Sequence, residues 1–346
     1  MKFQLAINME RMGLGEHDMV DVERHTLEMV QMADEGGFNI VWAAEHHALE
    51  MTIAPNPFQI LTWWAAHTNN IRLGTAVAVA AYWNPINLAG EAALLDLYSG
   101  GRLEFGIGSG AYQREFDRMH PGLSQKDAWR YMQEMLPAVK ALWAGDYEHN
   151  GEFWQFPTAT SVPKPLQKPH PPVWVAARAP ITFDYAVENG CHIMSWPFTQ
   201  PMSEVTVYKE RLEESIAKTD GSHRPIFAVM RHTALYDNKK DWEIPVRAAQ
   251  RQLGQFGNLM QNVGQVVNGF PDTPDMDELA QRPMLNADML HKNMLFGTPD
   301  EVIEKLKVYE ELGTDEFIYY ASLGMGHKEQ KRSLELFCKE VIPAFS

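Results

Sequence analysis

Three consecutive titratable residues, Glu45-His46-His47, follow the apolar run Val41-Trp42-Ala43-Ala44. A histidine at the C-terminal end of a strand suits acid–base work, since its unperturbed pKa is about 6.5. The alternative is a structural histidine hydrogen-bonded to a loop carbonyl. Neighbours on a strand alternate faces, so Glu45 and His47 cannot share a face with His46 unless a loop releases them. The trio is a poor metal site, and no H-E-x-x-H spacing accompanies it. A second cluster, Gly106-Ile107-Gly108-Ser109-Gly110, resembles a dinucleotide fingerprint with the wrong spacing, because Ala111 and Gln113 stand where glycine would be needed. It reads instead as backbone that must approach a flat ligand closely, with crowding inside the fold as the alternative. A third stretch, Ala176-Ala177-Arg178-Ala179-Pro180-Ile181-Thr182, ends a strand and opens a helix. Proline in a first helical turn leaves orphan N–H groups for an anion, and Arg178 adds a donor suited to phosphate. An exposed arginine at a helix start is the alternative. Trp83, Trp196 and Tyr112, all at strand ends, could form an aromatic wall. The pocket's polarity depends on which of Met12, Tyr82, Trp83, Phe198 and Met230 face inward.

These residues need strands that end on one rim. Strands read at 3–8, 39–44, 71–79, 102–110, 171–177, 192–196, 226–236 and 316–320. Helices read at 21–35, 57–68, 85–98, 127–143, 181–189, 204–218, 301–312 and 330–341. Aromatic alternation around Asn150-Gly151 marks a hairpin over 147–156. Eight strands alternating with helices predict a single-domain α/β fold over 1–346, a (β/α)8 TIM barrel rather than an open sheet. The run 254–295 breaks the rhythm with Gly, Asn, Gln, Pro and Met and no firm strand signal. A long irregular insertion after strand seven predicts a mobile lid on the catalytic rim, the alternative being a surface excursion without a role.

The bulk composition narrows the partners. The 346 residues are 45% hydrophobic, enough for a large core, and the formal net charge is −15. That charge argues against nucleic acid and anionic membranes, both of which need a basic surface. An anionic cofactor needs local arginines or helix N-termini to overcome it. The two cysteines, Cys191 and Cys338, have no CxxC spacing, so neither a disulfide framework nor a zinc site is expected. No apolar run approaches the about 20 residues that cross a bilayer, and the N-terminus lacks the pattern of a signal peptide. The expectation is a soluble, cytoplasmic protein.

Taken in order, Trp42 through His47, Gly74-Thr75-Ala76-Val77, the stretch from Leu94 to Gly106 with Gly110-Ala111-Tyr112, the stretch from Val173 to Trp196, and Phe296-Gly297-Thr298-Pro299 resemble the bacterial luciferase-like flavin-dependent monooxygenases. The likeness spans essentially the whole chain. It implies a barrel that binds reduced FMN at its C-terminal rim and oxygenates a small organic substrate with dioxygen via a flavin peroxide. His46 resembles the family's catalytic histidine, and Glu45 would lie near the isoalloxazine. Ala76-Val77 resembles the pair joined by a non-prolyl cis peptide beneath the flavin. Ser109, Ala111, Arg130, Ala176, Ala177, Arg178, Ala179, Thr182 and Trp196 match cofactor-contact positions. Where some light-emitting members carry a Cys and an Arg, this chain has Gly108 and Ser109, which speaks against luminescence. With no nicotinamide fingerprint, a separate flavin reductase is expected, and the resemblance implies a homodimer. Two other readings stay open: a deazaflavin (F420)-dependent hydride-transfer dehydrogenase, and a flavin-binding protein without turnover. Retention of His46 weighs against the last.

Overall fold

Parallel strands close on themselves in the computed structural model, which describes residues 1–11, 18–49, 51–221, 223–272 and 275–345. Met12 lies outside the described residues. The barrel strands are β1 (Lys2–Ala6), β2 (Ile40–Ala43), β3 (Arg72–Thr75), β4 (Leu103–Gly108), β5 (Val173–Ala176), β6 (His192–Ser195), β7 (Phe227–Leu235) and β8 (Glu316–Tyr320). Each pairs in parallel with its neighbours in chain order, and β8 returns to β1, so the (β/α)8 barrel is closed. A short run, Ala78–Val79, continues beyond β3 and pairs with the rim end of β4. The strand read over 71–79 is therefore one strand interrupted at residues 76–77.

The helices begin where local chemistry lets them. They include α1 (Met19–Gly36), α2 (Pro57–Ala65), α3 (Pro85–Tyr98), α4 (Gln113–Met119), α5 (Ala128–Ala144), α6 (Pro180–Glu188), α7 (Met202–Ala217) and α8 (Glu243–Met260). Asn56 and Asn84 cap α2 and α3 through their side chains, and each is followed by a proline whose missing N–H costs nothing there. Gly37, at φ 89°, ends α1 in a conformation that other residues resist. The main core lies between these helices and the outward faces of the strands.

The lower barrel is filled, which leaves the C-terminal mouth for a ligand. Trp42 and Trp174 pack edge to face at 5.4 Å between ring centres. Trp42 donates to Gln4 at 2.7 Å, and Trp174 donates to Glu104 at 2.6 Å. A side chain at Gly74 would collide with the Trp42 ring, 2.1 Å from its Cβ position. Burial raises the Glu104 pKa, opposed by Arg72 and the Trp174 hydrogen bond.

The insertion after β7 differs from its reading as irregular chain. Its first part, 254–260, is the end of α8, which buries Val246, Ala249, Leu253 and Phe256 along one face. A two-residue ladder, Val266–Val267 with Phe270–Pro271, follows, then helices α9 (Met276–Gln281) and α10 (Ala287–Asn293). Gly254, Gly257 and a run of glutamines mask the helical period, yet the buried stripe makes the helix because tertiary packing overrides weak propensity. α8 meets the rim directly. Phe256 and Leu259 pack with Leu49, Met51 and Tyr112, and Arg114 of α4 donates to the Gly264 carbonyl at 2.6 Å.

Candidate active site

β2 stops at Ala43, so Glu45, His46 and His47 occupy a loop rather than a strand. The His46 N–H donates to the Ala54 carbonyl at 2.8 Å, which pins the loop. Freed from strict alternation, the three side chains take separate tasks. Glu45 is 3% exposed and fully engaged. It accepts from the Val79 N–H at 2.7 Å and from the Trp83 indole at 2.9 Å, and it holds His47 Nε2 at 2.8 Å. His47 in turn stands edge-on to Tyr82 at 5.3 Å.

His46 is bound from the other side. Its Nδ1 faces both oxygens of Glu115, at 3.2 and 3.3 Å, and Glu115 also accepts from the His47 N–H at 2.6 Å. Nε2 has no protein partner among the described residues, and the ring leans on Tyr112 at 5.3 Å. Burial pulls the His46 pKa down. The Glu115 charge, its hydrogen bond and the Glu45 charge outweigh burial, so the net shift is upward. The imidazole thus has an anchored tautomeric edge, a nearby carboxylate and a free edge, the arrangement a general acid–base needs.

Beside this group the chain turns a corner. The Ala76-Val77 peptide bond is cis, as the resemblance implies, and the Ala76 N–H donates to the Ala43 carbonyl at 2.7 Å. The glycines of β4 answer to this corner rather than to a flat ligand. A Cβ at Gly106 would stand 1.9 Å from the Thr75 carbonyl, and one at Gly108 would stand 2.6 Å from Val77. Crowding by the corner therefore replaces close approach to a ligand as their reason. Thr75 locks the same corner through hydrogen bonds with Gly106 at 2.6 and 2.9 Å.

The other candidate positions divide into three groups. Ala76 and Val77 join Trp196 and Met230 in the cluster lining the barrel interior. Ser109 and Ala111 follow β4, the first partly buried and the second exposed. Ala176 is exposed at the end of β5 although its three strand neighbours are buried, and Ala177, buried, follows it. Arg178 and Ala179 are exposed before α6, whose first turn has proline and no side-chain cap. The Thr182 hydroxyl donates to the Ala179 carbonyl at 2.7 Å and accepts from the Arg178 N–H at 3.3 Å. The Arg178 guanidinium lies 4.7 Å over Phe198, and Phe198 stacks 4.0 Å from Trp196. Arg130 has other partners. It is exposed on α5, ion-paired with Glu152 and 5.3 Å over Phe153. Glu115 escaped the sequence reading because nothing local to residue 115 announces a contact 69 positions away.

A flat, electron-carrying heterocycle with an anionic tail fits this mouth. The corner at 76–77 offers a floor, Trp196 offers a wall with an unpartnered N–H, and the uncapped N-terminus of α6 beside Arg178 offers anion donors. A (β/α)8 barrel with a histidine on its rim supports many chemistries, and the comparisons narrow them. The family model described as luciferase-like monooxygenase matches residues 1–316, and the chain belongs to that family. The oxygenase component of a flavin-dependent trigonelline monooxygenase from Acinetobacter baylyi is 40% identical over 346 residues, covering 100% of this chain and 96% of that protein. Among solved structures, monooxygenase RslO1 from Streptomyces bottropensis has a TM-score of 0.80 at 24% identity, with 100% of both chains covered. The oxygenating constituent of 3,6-diketocamphane monooxygenase from Pseudomonas putida, in complex with FMN, has a TM-score of 0.78 at 19% identity, covering 99% of this chain and 98% of that one. As a luciferase-like monooxygenase the chain is an oxidoreductase.

Proposed function

We propose that this chain is the oxygenase of a two-component system in which a separate reductase supplies FMNH2 and the barrel mouth admits a small heteroaromatic substrate. The observation that carries the reading is His46, held by Glu115 at Nδ1 and open at Nε2 beside the corner at 76–77. The relative's description as an oxygenase component of a trigonelline monooxygenase supports both the split system and the substrate class.

Reduced FMN, when bound, supplies the electrons that activate dioxygen. Ala76, Val77, Ser109, Ala111, Ala176, Ala177 and Trp196 would line its ring system. Arg178, the amides around Ala179, the Thr182 hydroxyl and Arg130 would hold its phosphate. His46 exchanges a proton at Nε2 with the reacting group. Glu115 fixes the tautomer and stabilises the imidazolium. Glu45 serves the reaction by holding the loop and by setting negative charge near His46. The part of the insertion beyond α8, residues 261–295, acts as a lid whose closure excludes water.

Assembly follows the surface. α2 exposes Trp63 and α3 exposes Leu97 and Tyr98, apolar side chains that a second copy in a homodimer would cover. No helix among the described residues is long and apolar enough to cross a membrane, and we place the enzyme in the cytoplasm. Oxygen uptake with reductase-supplied FMNH2 tests the reading across trigonelline, other pyridine derivatives, aldehydes, ketones and sulfonates. One substrate should stimulate uptake in the wild type and fail to do so in His46→Ala. Binding of deazaflavin with no oxygen uptake would replace the reading with hydride transfer.

A further inference from the structure

Toward β7 the mouth contains polar side chains whose hydrogen bonds are open. Ala228 and Met230 of β7 belong to the inward cluster with Ala76, Val77, Trp196 and Tyr320. Residues two apart on a strand share a face, so His232 points inward as well, one step nearer the rim. Its ring stands 5.4 Å from Trp196 and 4.6 Å from Tyr320. His232 is completely buried, yet among the described residues neither imidazole nitrogen has a hydrogen-bond partner, and Trp196 Nε1 has none either. Gln252 reaches this layer from α8, and its Oε1 is also unpartnered. Buried polar groups are nearly always paired, and each unpaired one destabilises the fold. Gln252 faces one imidazole edge, so the other imidazole nitrogen and the Trp196 indole mark a place that a ligand completes.

The donors and acceptors restrict that ligand. Gln252 Nε2 donates to Glu10 Oε1 at 2.5 Å and to the Ser322 carbonyl at 2.6 Å. The Ser322 oxygen can only accept, so the amide orientation is set and Oε1 is an acceptor. Burial holds His232 neutral, its pKa pushed down to about 3. The Gln252 amide favours a proton on the ring edge facing it, although neither nitrogen reaches hydrogen-bonding geometry. A neutral imidazole has one N–H. With that N–H toward Gln252, the other nitrogen can only accept, while the Trp196 indole can only donate. The Arg231 charge is felt at His232, but it makes no hydrogen bond there. Arg231 turns its guanidinium to the opposite side of the strand, to Tyr309 and the carbonyls of Phe198 and Pro201. Burial pushes the Glu10 pKa up to about 8, against its hydrogen bonds from Gln252 and Gly324, so at neutral pH it is mostly uncharged.

We propose that Trp196, His232 and Gln252 form a substrate-recognition subsite for a neutral group that donates one hydrogen bond and accepts another, a hydroxyl or a carboxamide. The assignment rests on the monooxygenase reading only in placing the substrate at the barrel mouth. A carboxylate has no proton for His232, and the Arg231 guanidinium, turned to other partners, offers it no ion pair. An unsubstituted ring leaves the acceptor and the donor unpaired.

Nicotinamide, nicotinate and pyridine separate these cases. Their binding is measured by anaerobic calorimetry on protein loaded with reduced FMN. Nicotinamide should bind about tenfold or more tighter than either analogue, the scale of one net hydrogen bond. His232→Phe should erase that preference, and His232→Gln, which keeps a donor and an acceptor, should restore part of it. FMN affinity should be the same in all three proteins. Equal binding of the three compounds, absence of binding by all three, preference for nicotinate, or a preference that survives in His232→Phe would each overturn the subsite. A loss of FMN affinity in both His232 variants would overturn it too, by giving the layer to the cofactor. Oxygen uptake with FMNH2, measured on the same wild-type sample, reports separately on the monooxygenase reading.

Discussion

His46 and Glu115 meet at 3.2 Å across 69 residues of sequence, Nδ1 against Oε2, and the same carboxylate holds the His47 N–H. One acidic side chain on α4 therefore fixes both the loop after β2 and the protonation of its histidine. Without that carboxylate, only the Glu45 charge would oppose the depression of the imidazole pKa by burial.

Replacing Glu115 should move that balance. Folding raises the His46 pKa above its unfolded value. The stabilisation this brings is complete below the unfolded pKa of about 6.5 and is lost as pH rises through the folded value. Glu115→Gln should remove it, so the difference in melting temperature from wild type should be largest in mildly acidic buffer and should shrink at alkaline pH. The His46-dependent limb of the pH–rate profile should shift to lower pH. A stability difference independent of pH would show that Glu115 acts only through the His47 amide.

His46→Ala should keep the fold and lose about 10²–10⁴-fold in kcat, the range of a general acid–base group. Thermal melting and turnover, measured together, separate this from a structural effect. Unchanged turnover would remove His46 from the chemistry.

Glu45→Gln should destabilise the protein by about 1–3 kcal/mol, the cost of weakening buried hydrogen bonds to a charged acceptor. Glu45 is buried, and Val79, Trp83 and His47 all depend on it. Denaturant unfolding measures the loss. Wild-type stability in the variant would mean that the carboxylate charge is dispensable for the loop.

Arg178→Ala should weaken FMN by about 1.5–3 kcal/mol while leaving riboflavin nearly unaffected, because only FMN carries the phosphate. Equilibrium titration with both ligands checks it. Equal losses would place Arg178 elsewhere, with its stack on Phe198 as its main role. Arg130→Ala should affect FMN less, since Glu152 already pairs with that guanidinium.

Much of this architecture could be read from the chain, and the gaps have physical causes. Apolar runs with polar ends exposed all eight barrel strands, since strands buried on both faces need continuous hydrophobic sequence. The helix starts read at 57 and 85 match the structure, where Asn56 and Asn84 cap them, because capping is local chemistry. α8 was hidden because Gly254 and Gly257 weaken its propensity and only its partners across the mouth make it a helix. Glu115, His232 and Gln252 were silent for a related reason. Their roles depend on contacts between distant segments, which no local spacing encodes. The Gly106 and Gly108 positions were legible as glycines under constraint, but Thr75 and Val77 supply that constraint.

The proposed lid should yield to protease beyond α8 rather than within it. Val263 and Val267 are exposed, whereas α8 is packed on its buried face. Limited proteolysis should cut between residues 261 and 295 first, and more slowly with FMN bound. Identical rates with and without cofactor would contradict closure over the flavin.

Anaerobic titration of the purified protein with reduced and oxidised FMN tests the two-component account most directly. An oxygenase that receives its cofactor from a separate reductase should bind FMNH2 more tightly than FMN, and the account predicts that order. Equal affinities, or tighter binding of oxidised FMN, would contradict it.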